Sequence, residues 1–273
     1  MDPGSPVIRL AVFGQPVTQS LSPRIHALFA RQLGLKIDYQ AIEATAGSFP
    51  DQVLELASGG GRGCNVTVPF KRAAWMLADA SSDRAARAQA ANTLVFNERI
   101  FADNTDGQGL VNDLAGLADG RLEGARVCVL GAGGAAAGIL AALLHAQPEW
   151  VFIVNRTRAR ADDIARRHAD LGRVFACEPA DFAQHAPVDL VINATSQGHR
   201  GDAPAFSADW LAPGGLCYDL NYGPAAAPLR SVCTAAGIAY ADGLGMLVNQ
   251  AALSFQLWTG ELPDVGPVLE SLR

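Results

Sequence analysis

Lys71 ends the run Asn65-Val66-Thr67-Val68-Pro69-Phe70-Lys71, and a carboxylate, Asp106, sits in Asn104-Thr105-Asp106-Gly107. Each run reaches what would be the C-terminal edge of a sheet, the edge that faces the ligand crevice in open α/β folds. Gln19-Ser20-Leu21-Ser22-Pro23 brings two hydroxyls to a third such edge. Lysine can take up and return a proton and a carboxylate can orient it, which suits the set to proton transfer on a small polar molecule. Lys71 has a second possible role, staying charged and stabilising negative charge that develops on oxygen. As local structure alone, Ser22 before Pro23 reads as an N-cap with proline at N1, whereas Ser20 has no such role.

A second constellation points to a nucleotide. The apolar stretch Val127-Cys128-Val129-Leu130 runs into Gly131-Ala132-Gly133-Gly134, and an alanine-rich helix follows from Ala135 to Leu144. Gly131 allows the tight turn and Gly133 lets the backbone approach a pyrophosphate. The free N–H groups and dipole of the helix then meet its charge. Ala136 takes the third position of the pattern, which the G-x-G-x-x-G/A form permits. After the next strand, Trp150 to Val154, an NAD-binding fold would place Asp or Glu on the ribose 2′-hydroxyl. This chain reads Asn155-Arg156-Thr157-Arg158-Ala159-Arg160, and a guanidinium suits a 2′-phosphate that a carboxylate would repel. The expected cofactor is NADP, with Arg156 and Arg160 one helical turn apart.

The elements that must position these groups alternate along the chain, which predicts parallel sheets covered by helices. In the first half, strands are expected at 8–14, 39–43 and 64–68, and helices at 23–33, 49–57 and 72–79. A hairpin with arms 92–96 and 100–103 follows. In the second half, strands are expected near 126–130, 150–154, 188–193, 216–220 and 238–241, with a last helix over 245–259. The organisation is α/β with two domains. Residues 1–107 form a mainly parallel substrate-binding and catalytic domain, 108–243 a Rossmann-type NADP-binding domain, and 244–273 C-terminal helices that pack back on the first. Gly107, Gly109 and Gly243-Leu244-Gly245 flank the crossings and are candidates to absorb hinge rotation.

Of 273 residues, 49% are hydrophobic, enough for two ordinary cores. Lysine and arginine number 21 against 27 acidic residues, a net charge of −6 that argues against nucleic acid or an anionic membrane as partner. The five cysteines are scattered, without C-x-x-C pairs or metal-ligand spacing, as for thiols in a reducing cytoplasm, and no metal is expected. No apolar run reaches membrane-spanning length, and residues 1–6 lack the regions of a signal peptide and are expected to be disordered. Of the histidines, His26, His145, His168 and His185 are read as surface or packing residues, and His199 as a weak candidate for cofactor contact.

The chain resembles shikimate dehydrogenase over nearly its whole length. The resemblance rests on Ser20-Leu21-Ser22-Pro23, on the 65–71 run, on Ala91-Asn92-Thr93 and Asp103-Asn104-Thr105-Asp106-Gly107, and on Gly131-Ala132-Gly133-Gly134-Ala135. Asn155-Arg156-Thr157, Ile192-Asn193-Ala194-Thr195-Ser196 and Asp242-Gly243-Leu244-Gly245-Met246 complete it. It implies an NADPH-dependent enzyme that reversibly reduces 3-dehydroshikimate to shikimate, on the route to chorismate and the aromatic amino acids, as a monomer or homodimer. Lys71 and Asp106 would be the catalytic pair. Ser20 and Ser22, with Tyr222 nearby, would hold the substrate carboxylate, and Asn65, Thr67, Lys71, Asn92, Asp106 and Gln250 the ring hydroxyls. Gly131, Ala132, Gly133, Gly134, Ala135, Asn155, Arg156, Thr157, Arg158, Arg160, Thr195, Leu220 and Gly243 would meet the cofactor. The segment Leu220-Asn221-Tyr222 departs from some relatives. A broader quinate/shikimate dehydrogenase using NAD, and a non-catalytic NADP-binding sensor, are the alternatives.

Overall fold

The structure is a computed structural model describing residues 6–117 and 120–273, so the expectation of disorder at 1–6 lies, for 1–5, outside the described residues. The chain divides into two compact units, Met1–Gly109 with Val248–Arg273, and Leu110–Leu247.

In the first unit, β1 (Ile8–Gly14), β2 (Ile37–Glu43), β3 (Gly63–Val66), β4 (Ala80–Ser81), β5 (Thr93–Phe96) and β6 (Ile100–Asp103) form one sheet, ordered β2-β1-β3-β5-β6-β4. β1 pairs parallel with β2 and β3, and β4 with β6, while the β5–β6 hairpin joins β3 antiparallel. Helices α1 (Ser22–Gln32), α2 (Phe49–Ser58), α3 (Lys71–Leu77) and α4 (Asp83–Ala88) alternate with these strands. The run Leu10-Ala11-Val12-Phe13 is buried throughout, as a central strand covered on both faces requires. Phe13 meets Phe49 edge-on, and Phe49 stacks on Phe70 at 4.9 Å, which ties α2 and the start of α3 to the sheet.

Helix α5 (Asp106–Ala115) carries the chain into the second unit. There β7 (Arg126–Leu130), α6 (Gly134–His145), β8 (Trp150–Val154), α7 (Arg158–His168), β9 (Val174–Cys177), α8 (Pro179–Phe182), β10 (Val188–Asn193), β11 (Leu211–Asp219), α9 (Ala227–Ala236) and β12 (Ala239–Ala241) follow in turn. The sheet runs β12-β11-β10-β7-β8-β9 with every pair parallel, the doubly wound order whose switch point lies between β7 and β10. Helix α10 (Leu244–Thr259) returns the chain to the first unit, and α11 (Gly266–Leu272) ends it.

Three local departures from expectation have physical causes. β3 stops at Val66 because the chain leaves the sheet ahead of Pro69, which has no N–H to give, and the Thr67 N–H ends the ladder on Phe13 O. β11 begins at Leu211, five residues early, because its Pro213-Gly214-Gly215 turn residues fall at a register shift opposite Val188 and Leu190. β4 and α4 were not foreseen, being too short to show a period; Ser82 caps α4 by accepting from the Ala85 N–H.

Gly63 lies where β3 passes beneath Trp258, whose Nε1 donates to Leu94 O at 2.9 Å. A methyl at this position would run into both the indole and the Leu94 carbonyl. Gly63→Ala is expected to destabilise the fold by about 3 kcal/mol, read from the urea midpoint; an unchanged midpoint would contradict the packing described.

Candidate active site

Lys71 is the first residue of α3 and Asp106 the first of α5, so both stand where the chain leaves the sheet. Lys71 Nζ donates to Asp106 Oδ2 at 2.5 Å, and the two side chains are 16% and 6% exposed. The other carboxylate oxygen, Oδ1, accepts from Asn92 Nδ2 at 2.9 Å. Asn92 Nδ2 also faces Gln250 Oε1 and Thr105 Oγ1, and its Oδ1 accepts from the Thr105 N–H and the Thr93 hydroxyl. Asn104, buried, donates to Ala90 O and accepts from the Asp106 N–H, which fixes the backbone on which the carboxylate stands. Asp103 buttresses the same turn. Burial alone would raise its carboxyl, but Arg84 and Ser82 more than offset that and hold it below the ordinary range.

The expected substrate residues divide. Lys71, Asp106, Asn92 and Gln250 meet in one hydrogen-bonded cluster, with Gln250 on α10 brought close because Gly109 has no side chain to hold the helices apart. Thr67, half-buried, follows β3 and lies against Gly14 at the end of β1. Ser20 follows β1. The capping expectation is corrected: Ser22 is already helical and makes no cap bond, while Ser20 Oγ accepts the Ser22 N–H at 3.2 Å. Leu21 takes the cap position with αR dihedrals, so the side chain that reaches back is Ser20. Ser22 is buried beside Tyr39 instead. Tyr222 belongs to the second unit, half-buried ahead of a 3-10 turn at Gly223–Ala226.

Several polar residues of the site were not singled out from sequence. Thr105, Thr93 and Ser254 are fully buried and interlinked, and His26 Nε2 and the Tyr39 hydroxyl both reach Asn65 Oδ1, at 3.1 and 2.7 Å. Thr105 and Thr93 do lie inside the motifs quoted above, whereas Ser254 and His26 are helix residues with apolar neighbours.

In the second unit the glycine turn has the form a dinucleotide needs. Gly131 has φ +105° and lies against Ala194 and Thr195 beyond β10, at the switch point. Nothing stands within 4 Å of the place a Cβ would take on Gly133, so its backbone is open to a phosphate at the start of α6. Asn155 Nδ2 donates to Thr157 O at 2.9 Å and shapes the turn after β8. Arg156, Arg158 and Arg160 follow, all exposed; Arg158 pairs with Asp162 at 3.7 Å, which leaves Arg156 and Arg160 better placed for a phosphate.

A buried hub sets the loops after β10 and β11. Asn193 Oδ1 accepts from the Thr195 N–H and hydroxyl, and Asn193 Nδ2 donates to Asp219 Oδ1. Asp219 also takes the Asn221 N–H and amide; burial raises its carboxyl above the usual range against these bonds. Leu220 and Gly243 are brought together: a side chain on Gly243 would strike the Leu220 backbone, and its N–H donates to Asn221 O. His199 is exposed in a 3-10 turn; His26 and His168 are buried, and His185 stacks on Phe152.

A Rossmann-type sheet with a phosphate cradle and a buried lysine–carboxylate cluster, carried on one chain, define a nicotinamide-dependent oxidoreductase. Residues 12–94 match the shikimate dehydrogenase substrate binding domain, 113–200 shikimate/quinate 5-dehydrogenase, and 243–273 the shikimate 5′-dehydrogenase C-terminal domain. A shikimate dehydrogenase (NADP(+)) from Methylococcus capsulatus is 47% identical over 97% of this chain and 96% of its own. A shikimate 5-dehydrogenase from Thermus thermophilus, solved with NADP(H) and shikimate, superposes with TM-score 0.84 at 34% identity, covering 97% and 98% of the two chains. One from Listeria monocytogenes, solved with shikimate and NAD, has TM-score 0.85 at 27% identity, covering 98% and 96%. The chain belongs to the shikimate dehydrogenase family.

His26 generates a prediction for this site. It is fully buried, and that burial lowers its pKa from 6.5 to about 3 despite the bond to Asn65. The unfolded chain therefore binds a proton that the folded one refuses. This contribution to stability is complete above pH 6.5 and is lost as pH falls toward 3. His26→Phe should remove a stability loss of roughly 3–5 kcal/mol across that window. Denaturant unfolding at stepped pH checks this, and equal acid sensitivity in the variant would contradict it.

Proposed function

We propose that this chain catalyses the reversible NADPH-dependent reduction of 3-dehydroshikimate to shikimate. The observation that carries the reading is the Lys71–Asp106 pair held by Asn92, itself bonded to Gln250, in a chain whose other unit has the glycine cradle and arginine turn of an NADP site. Bound NADP supplies the hydride acceptor and its reduced form the donor. The residues of this chain manage the proton and the fit. Ser20 and Ser22, with Tyr222, take the substrate carboxylate, and hydroxyl ligands favour selectivity because a mismatched ring leaves buried polar groups unpaired at roughly 1–3 kcal/mol each. Asn65, Thr67, Asn92 and Gln250 serve the ring hydroxyls. Lys71, joined to Asp106, gives a proton to the carbonyl oxygen in reduction and takes it back in oxidation.

For the cofactor, the backbone from Gly131 to Ala135 meets the pyrophosphate, while Asn155, Arg156, Thr157, Arg158 and Arg160 surround the 2′-phosphate. Thr195, Leu220 and Gly243 stand at the nicotinamide end. The division into a substrate domain over 1–107, an NADP domain over 108–243 and returning helices over 244–273 follows the same reading. The five cysteines are free and buried, which supports a reducing cytoplasm as the location. Among the described residues no helix is long and apolar enough to cross a membrane.

Initial rates with shikimate and quinate, each offered NADP and NAD, test the reading. Shikimate with NADP should lead. Arg156→Ala should raise the KM for NADP by about 10- to 100-fold and leave that for NAD unchanged. Comparable use of quinate and NAD would favour the broader enzyme, and NADPH binding without turnover the sensor.

A further inference from the structure

The ring of His26 lies among aromatic side chains, stacked on Tyr39 at 4.4 Å and facing Phe255 at 5.9 Å, with Phe29 and Trp258 at its edges. Its Nδ1 is buried without a hydrogen-bond partner. A phenylalanine would fill this space without leaving an acceptor unpaired, so the reason for an imidazole lies at its other nitrogen.

That nitrogen, Nε2, meets Asn65 Oδ1, and an amide oxygen can only accept, so Nε2 carries the proton and the ring is the neutral Nε2–H form. The Tyr39 hydroxyl donates to the same oxygen. Both lone pairs of Asn65 Oδ1 are then used, and its Nδ2 turns toward Asn92 O, Thr93 Oγ1 and Ser254 Oγ at 3.0–3.3 Å. A flipped Asn65 would set oxygen against the Asn92 carbonyl and NH2 against two donors.

From Asn65 the donors lead toward Asp106, and the Thr93 hydroxyl also lies 2.7 Å from Ser254 Oγ, where either oxygen can donate. Thr93 accepts from Asn65 and donates to Asn92 Oδ1 at 2.9 Å, and Asn92 Nδ2 donates to Asp106 Oδ1. Asp106 holds Lys71 with its other oxygen. At the opposite end, the Ser22 side chain lies beside the Tyr39 hydroxyl, next to the serine motif that follows β1. All of it lies within the first unit.

We propose that His26 is a positioning residue: its Nε2–H, together with the Tyr39 hydroxyl, sets the orientation of Asn65 and through it the donors that hold Asp106. The proposal rests on the shikimate reading above and deepens it.

The test compares wild type with His26→Phe and His26→Gln, measuring kcat and KM for shikimate, KM for NADP, and melting temperature. His26→Phe keeps an aromatic ring and loses the donor; His26→Gln loses the ring and supplies an amide N–H to Asn65. The expected result is a fall of about tenfold in kcat for His26→Phe with KM for NADP unchanged, and recovery of most turnover in His26→Gln despite a lower melting temperature. A purely packing role gives the opposite order. Wild-type kcat in His26→Phe, or no recovery in His26→Gln, would overturn the proposal. Nitrogen-15 spectra of the wild-type ring add a readout independent of turnover: the Nε2–H form should persist from about pH 5 to about pH 8, and a ring protonated at Nδ1 would also overturn it. A wild type that fails to oxidise shikimate sinks the functional reading instead, and the ring spectra, with Asn65 amide signals that should shift in His26→Phe, still decide this one.

Discussion

The first unit is organised around the bond between Lys71 and Asp106. A carboxylate this far from water is tolerated only where its hydrogen-bonding capacity is met, and beside the Lys71 ammonium the surrounding residues supply that. Asn92 serves the second carboxylate oxygen, Asn104 holds the backbone of Asp106, and Asp103 with Arg84 anchors the turn before it. Gln250 reaches the cluster from α10 because Gly109 lets that helix lie against α5. The packing of two helices is thus set by where one amide has to be.

The second unit solves a different problem with the same means. A dinucleotide needs backbone exposed at a sheet edge, and an exposed edge needs fixing from below. Asp219, buried beneath the loops after β10 and β11, collects Asn193 and Asn221, and through them Thr195. Tyr218 donates to Asp113 Oδ2 at 2.6 Å, and the bare Cα of Gly245 lies against that carboxylate, joining the start of α10 to α5 within this unit. Gly109 and Gly245, candidates for hinge rotation on sequence, each serve a close approach between these elements.

Much of this was legible in the residues. Parallel strands buried on both faces announce themselves as apolar runs, so β7, β8 and β10 match their expected bounds. Lys71, Asn92, Asp106 and the glycine turn stand at strand ends, where polar residues break the apolar pattern. The cap expected at Ser22 is absent, because Leu21 takes that position through αR dihedrals that no residue type dictates. His26 was read as packing because its donor has meaning only once Asn65 and Tyr39, from two other strands, reach it. β4 and α4 escaped for want of length, and the bulge in β11 was disguised by turn residues.

The most direct test of the account is Lys71→Ala, assayed for shikimate turnover with NADP and, separately, for shikimate affinity. If the Lys71–Asp106 pair carries the proton, kcat falls by at least about 100-fold while affinity stays within about tenfold of wild type. Turnover within a few-fold of wild type would contradict it, and would move the chemistry away from the pair around which this unit is built.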